Sequence, residues 1–114
     1  HAVRRDWIYS RDIAAGLLLL LDAKTTRHAV YNLSAGGDWG PVDRWCARLK
    51  EQYSRFDWRG AVNGEAPNIG YTDRDRCPLD IGRMIGEFGF SPRSSEDAFT
   101  QYLEWLARTP DAYG

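Results

Sequence analysis

Lysine is almost missing: of 15 basic residues only Lys24 and Lys50 are lysines, and the remaining thirteen are arginines. There are two cysteines, Cys46 and Cys77, with no C-x-x-C spacing, so neither a zinc site nor a disulfide framework is implied. A reducing, cytoplasmic setting is the default expectation. The two histidines, His1 and His28, stand apart from any acidic or serine partner at a useful spacing, and neither reads as catalytic. No apolar run can span a bilayer: residues 13–21 are too short and are flanked by Arg11 and Asp22. Charge of one sign is lacking too. A formal net charge of −1 argues against a basic nucleic-acid surface or a polybasic membrane anchor as the main role. Internal repeats and low-complexity tracts are also absent.

What is present, 114 residues that are 43% hydrophobic and 13% aromatic, suits one packed domain or part of one. The arginine excess has two readings, genomic base composition or forks for phosphate and carboxylate that lysine cannot imitate. Trp7-Ile8-Tyr9 has the propensity of a short strand. Ser10 fits an N-cap, Asp12 suits the first helical turn, and a helix follows over residues 13–21. Ile13, Leu17 and Leu20 make one stripe, while Leu18, Leu19 and Leu21 occupy other faces. A helix apolar around most of its circumference is either buried on several sides or offers a face to a partner.

Residues 29–33 read as a second strand, followed by a Ser34-Ala35-Gly36-Gly37 turn. Gly40 and Pro41 open a helix with Val42, Trp45, Cys46, Leu49 and Tyr53 at helical spacing. Residues 55–62 read as a third strand. After a Gly, Asn and Pro loop comes an Arg- and Asp-rich stretch. Asp80 caps a short helix carrying Ile81, Met84, Ile85 and Phe88. Gly89 ends it, with Phe90 folding back onto Ile85. Ser94 and Asp97 frame the start of a last helix with a Phe99, Tyr102, Leu103 and Leu106 stripe. The order β-α-β-α-β-loop-α-α predicts an α/β fold with few short strands and about four helices.

The motif Arg5-Asp6-Trp7-Ile8-Tyr9-x-x-Asp12-Ile13-Ala14 resembles a segment of extended short-chain dehydrogenase/reductases, the NAD-dependent nucleotide-sugar epimerases and dehydratases. Val30-Tyr31-Asn32-Leu33-Ser34-x-Gly36 is similar to that family's Y-N-hydrophobic-G/S-x-G. Asp80-Ile81-x-Arg83 is similar to its D-x-x-K, and Phe88-Gly89-Phe90-x-Pro92 to its L-G-F/Y-x-P. Residues 96–106 are similar to its closing helix. The resemblance runs along nearly the whole chain. It implies the C-terminal, substrate-side part of a Rossmann-type enzyme, because the family's other half is not encoded here. There is no G-x-x-G-x-x-G turn for a cofactor pyrophosphate. There is no Tyr-x-x-x-Lys: Leu20 and Cys46 stand four positions before the two lysines. The expectation is therefore a portion of a larger enzyme, with no catalytic residue of its own. NAD or NADP would be held by the complete enzyme and by none of this chain alone.

The resemblance also assigns residues. Arg5 would reach a substrate diphosphate, for which a planar, permanently charged fork is suited. Tyr9 would lie against the substrate. In the stretch before D-x-x-K, Arg74 and Arg76 are candidates for phosphate or carboxylate contact and Asp73 for a sugar hydroxyl. An Asp–Arg surface network is the competing reading of those three. Asp6 and Asp12 read as turn and cap residues. Trp39, in a glycine-rich turn, either closes over a ring or packs on its own loop. The implied partners are a sugar or nucleotide-sugar substrate, and either the missing half or a second copy against the helix at 13–21. Neither nucleic acid nor a membrane is expected.

Overall fold

A computed structural model describes residues 5–62, 64–66 and 77–109. Its elements are four helices: α1 (Ser10–Asp22), α2 (Val42–Gln52), α3 (Gly82–Phe88) and α4 (Ser95–Arg108). The expected α/β fold is not what forms. No sheet exists among the described residues, and residues 7–9, 29–33 and 55–62 are not strands; an isolated bridge at Pro41 is all that remains of strand geometry.

The reason is that propensity sets the shape of a backbone but cannot supply its partner. Tyr9 is extended, with φ −68° and ψ 136°. Yet residues 7–9 pair with no neighbouring strand, and their side chains do the packing. The period of two survives: Trp7 and Tyr9 enter one aromatic cluster, while Ile8 enters a second. The segment at 29–33 is held in a similar way. Arg83 donates to the Val30 carbonyl at 2.9 Å and Asn32 donates to the Asp80 carbonyl at 2.9 Å. Tyr31 and Leu33 pack against the second cluster.

The first cluster is Trp39, Trp45, Ala98, Phe99 and Leu103, and it joins α2 to α4. Its rings meet at tilted angles, Trp45 and Phe99 having centroids 4.6 Å apart. Above it, Arg44 and Arg48 of α2 both pair with Glu96 of α4. The second cluster is Ile81, Met84 and Phe90, with Met84 fully buried. It sits where α3 meets α1. Gly89 ends α3 in the left-handed region (φ 65°), its N–H bonding the Ile85 carbonyl and that of Phe90 bonding the Met84 carbonyl. Phe90 is buried on Met84 and Ile81, whereas Ile85, its expected contact, is exposed.

Helix α1 shows a second departure. Its cap residue is Tyr9, with no side-chain bond, so Ser10 is the first helical residue rather than the cap. Its buried residues are Asp12 and Gly16, and of its leucines Leu20 packs on the second cluster. At Gly16 a Cβ would run into the Leu33 side chain and stand 3.1 Å from Phe90, so glycine lets this approach form without displacing either residue. The other leucines face outward: Leu17 is 48% exposed, Leu18 59% and Leu21 79%. None of the helices in the described residues is long and apolar enough to cross a membrane.

Candidate substrate site

The extended segment after Arg5 is fixed by two carboxylates. Asp6 accepts from the Ser34 hydroxyl at 2.5 Å through Oδ1 and from the Leu79 N–H at 2.7 Å through Oδ2. Ser34 is itself buried, and its Oγ accepts from the Gly36 N–H at 2.9 Å. Asp12, 5% exposed, accepts from the backbone N–H of Arg93 at 3.1 Å and from its guanidinium. Three separated motifs are thereby pinned to the first one. Both aspartates work as structural ties.

Tyr9 belongs to the same joint. Its carbonyl accepts from the N–H groups of Asp12 and Ile13, its ring packs on the first cluster, and the Arg93 guanidinium lies 5.5 Å from the ring centre. Arg5 lies four residues before it and is half-buried. Asp73, Arg74 and Arg76 lie outside the described residues. Of the five expected substrate residues, the structure thus places Arg5 and Tyr9 on one segment.

An open groove of about 530 Å3 lies between the start of α1 and one face of α4; neither Arg5 nor Tyr9 lines it, and Tyr9 lines a smaller aromatic pocket instead. Arg11, Arg93 and Arg108 supply three guanidiniums, and Gln101 and Trp105 form part of its wall. Two carboxylates, Asp97 and Glu104, line it as well. Arg93 is engaged by Asp12, Arg108 lies 3.8 Å from Glu104, and Asp97 accepts from the Ser94 hydroxyl at 2.6 Å. Arg11 is exposed and has no hydrogen bond or ion pair among the described residues. The groove therefore carries a spare fork but little net field.

Sequence reading passed over Arg11 and Arg93. Arg11 occupies an unassigned position of the opening motif, and Arg93 stands between a proline and a cap. The one available signal was the spacing of Asp97, Gln101, Glu104 and Arg108 along one face of α4, which also describes any solvated helix face.

Among the described residues, shifted titratable groups also lie outside the groove. Burial pushes the Cys46 thiol up and Asp43 adds to the effect, the reverse of thiolate activation. Tyr31 donates to Glu87 at 2.6 Å, and burial together with this bond raises the Tyr31 hydroxyl above its usual range. Burial alone would raise Glu87, but the bonds from Tyr31 and the Arg27 N–H outweigh it and hold the carboxyl low. No group of three or more His, Cys, Asp and Glu residues among the described residues is placed to hold a metal ion. Comparison with protein-family models, curated proteins and solved structures found no match.

Proposed function

We propose that the chain is the substrate-side portion of an NAD(P)-dependent sugar or nucleotide-sugar epimerase, dehydratase or oxidoreductase. It grips a substrate phosphate or carboxylate with arginines and carries out no turnover alone. The observation behind this reading is the unpaired Arg11 fork, open to a groove that also presents Arg93, Arg108 and Trp105. The motifs that carry the family resemblance support it from the sequence side. Arg5 remains the candidate for the diphosphate.

Because the groove's charges nearly balance, the grip comes from bidentate geometry rather than from field strength. An affinity of about 1 mM, or −4.1 kcal/mol, is expected. The test is a nuclear magnetic resonance titration of the labelled chain with UDP-glucose and, separately, inorganic pyrophosphate. The Arg11 side-chain and Trp105 indole signals should move together, and Arg11→Ala should abolish the response. No movement at about 10 mM ligand, ten times the expected Kd, sinks the proposal. NAD binding is expected to be absent by calorimetry, and micromolar binding would contradict the reading.

A second reading is a non-catalytic interaction module derived from the same family, favoured by the outward leucines of α1. Its partner is a second copy. Two α1 helices laid antiparallel about the Gly16–Leu17 junction set Arg11 opposite Asp22 and Ala15 opposite Leu18, complementary in charge and size. Sedimentation equilibrium separates the readings: a monomer up to high protein concentration removes this one and leaves the first untouched.

A further inference from the structure

We infer that the first aromatic cluster forms an open binding pocket for a single uncharged planar ring bearing a hydrogen-bond acceptor. This goes beyond the arginine groove and stands without it. The site is a half-open pocket of about 290 Å3 between the extended segment at 7–9, the Trp39 loop, α2 and α4. Its walls are the rings of Trp7, Tyr9, Trp39, Trp45, Phe99 and Tyr102. Ala98, 1% exposed, and Ser10 are the small residues in the lining.

Three features define the ligand. The first is an orphan donor. The Trp45 indole N–H donates to the Trp39 carbonyl at 2.8 Å, but the Trp39 Nε1–H is buried and has no hydrogen-bond partner among the described residues. Trp39 as a whole is 7% exposed. An indole N–H can only donate, and buried donors are nearly always paired. An acceptor atom on a ligand completes it.

The second feature is wall geometry. Trp7 and Trp39 lie 6.1 Å apart at 60°, and Trp39 and Trp45 lie 5.5 Å apart at 55°. Tilted walls leave ring faces and edges available to an inserted ring. The volume suits one ring, falling just below the roughly 300–1,000 Å3 typical of pockets for larger ligands. The third feature is charge. No ionic side chain lines the cavity. The nearby guanidiniums of Arg44, Arg48 and Arg93 lie over Trp45, Phe99 and Tyr9, and each is already ion-paired. A charged ligand would find no counter-ion there.

The test uses pyridine and benzene as probes, matched in shape and differing in the acceptor, at neutral pH where pyridine carries no proton. Pyridine should saturate the wild-type chain and move the Trp39 Nε1–H signal downfield, whereas benzene should not produce the downfield shift. Trp39→Phe should weaken pyridine about tenfold, the effect of one hydrogen bond to a buried donor, and change benzene by less than about twofold. The wild-type comparison decides the matter if that variant fails to fold. The inference is overturned if pyridine leaves the Trp39 signal unmoved, if benzene moves it equally, or if that N–H exchanges with solvent as fast as an exposed indole.

Discussion

Removing the Asp12 carboxylate is the most informative single perturbation. In Asp12→Ala the Arg93 backbone N–H loses its acceptor and the Arg93 guanidinium its counter-ion, so α1 and the start of α4 come untied. The size of the loss follows from burial. The Asp12 side chain is 7% exposed but that of Arg93 is 34% exposed. Exposed pairs contribute roughly 0–1 kcal/mol, and breaking a fully buried one costs about 3–5. A half-buried pair with an added backbone bond falls between, at about 2–3 kcal/mol. Asp12 also sits in the first turn of α1, where the helix dipole adds about 0.3–1 kcal/mol, partly offset by alanine's better helix propensity. Urea unfolding followed by circular dichroism should show the midpoint falling by about 1–2 M, given a slope of roughly 1–3 kcal/mol/M for small proteins. Asp12→Asn keeps an acceptor for the N–H and should lose about half as much. A midpoint shift below about 0.3 M for Asp12→Ala would refute the reasoning, because it would place the pair among exposed ones.

Four further outcomes are expected. Gly36→Ala should destabilise by about 2 kcal/mol in urea unfolding, since φ is +67° and the new Cβ would stand 2.6 Å from the buried Ile81 side chain. Met84→Ala, at the fully buried centre of the second cluster, should cost about 2–5 kcal/mol by the same measurement. The Glu87 carboxyl is held low and the Tyr31 hydroxyl high, so their contact stabilises the fold between the two ordinary titration ranges. It is lost as pH falls through the depressed folded value of Glu87, and as pH rises through the raised value of Tyr31; hydrogen exchange near Arg27 across pH should show both edges, and Glu87→Gln should remove the acidic one. Leu18→Glu with Leu21→Glu should leave stability within about 0.5 kcal/mol of wild type and reduce light-scattering mass if α1 associates, while a monodisperse wild-type monomer would count against association.

The four helices were legible because they rest on periodicity and local caps. Ser94 accepts from the Asp97 N–H at 3.1 Å, as the spacing of those two residues predicts. Gly89 closes α3 where a left-handed residue is needed. Asp80 was read as the cap; it bonds the Gly82 N–H from one residue before the cap position, Ile81, a shift that local spacing cannot resolve. The strands were misread because Trp7, Tyr9, Tyr31 and Leu33 look the same whether they pair with another strand or press rings onto helices. The orientation of α1 was undetermined for a related reason. Its many leucines hide which stripe faces inward, and the answer lies in Gly16, whose missing side chain lets Leu33 and Phe90 approach. Of the candidate site, Arg5 and Tyr9 were named from motif position, whereas Arg11 and Arg93 meet only through the tertiary tie at Asp12.

The alternation at Trp7, Ile8 and Tyr9 makes one three-residue rib the seam between two half-cores, each too small to stand by itself. Cooperativity of melting then leans on that rib, together with the Asp12–Arg93 tie. Ile8→Gly should split a single transition into two, with the α3 side loosening at the lower temperature.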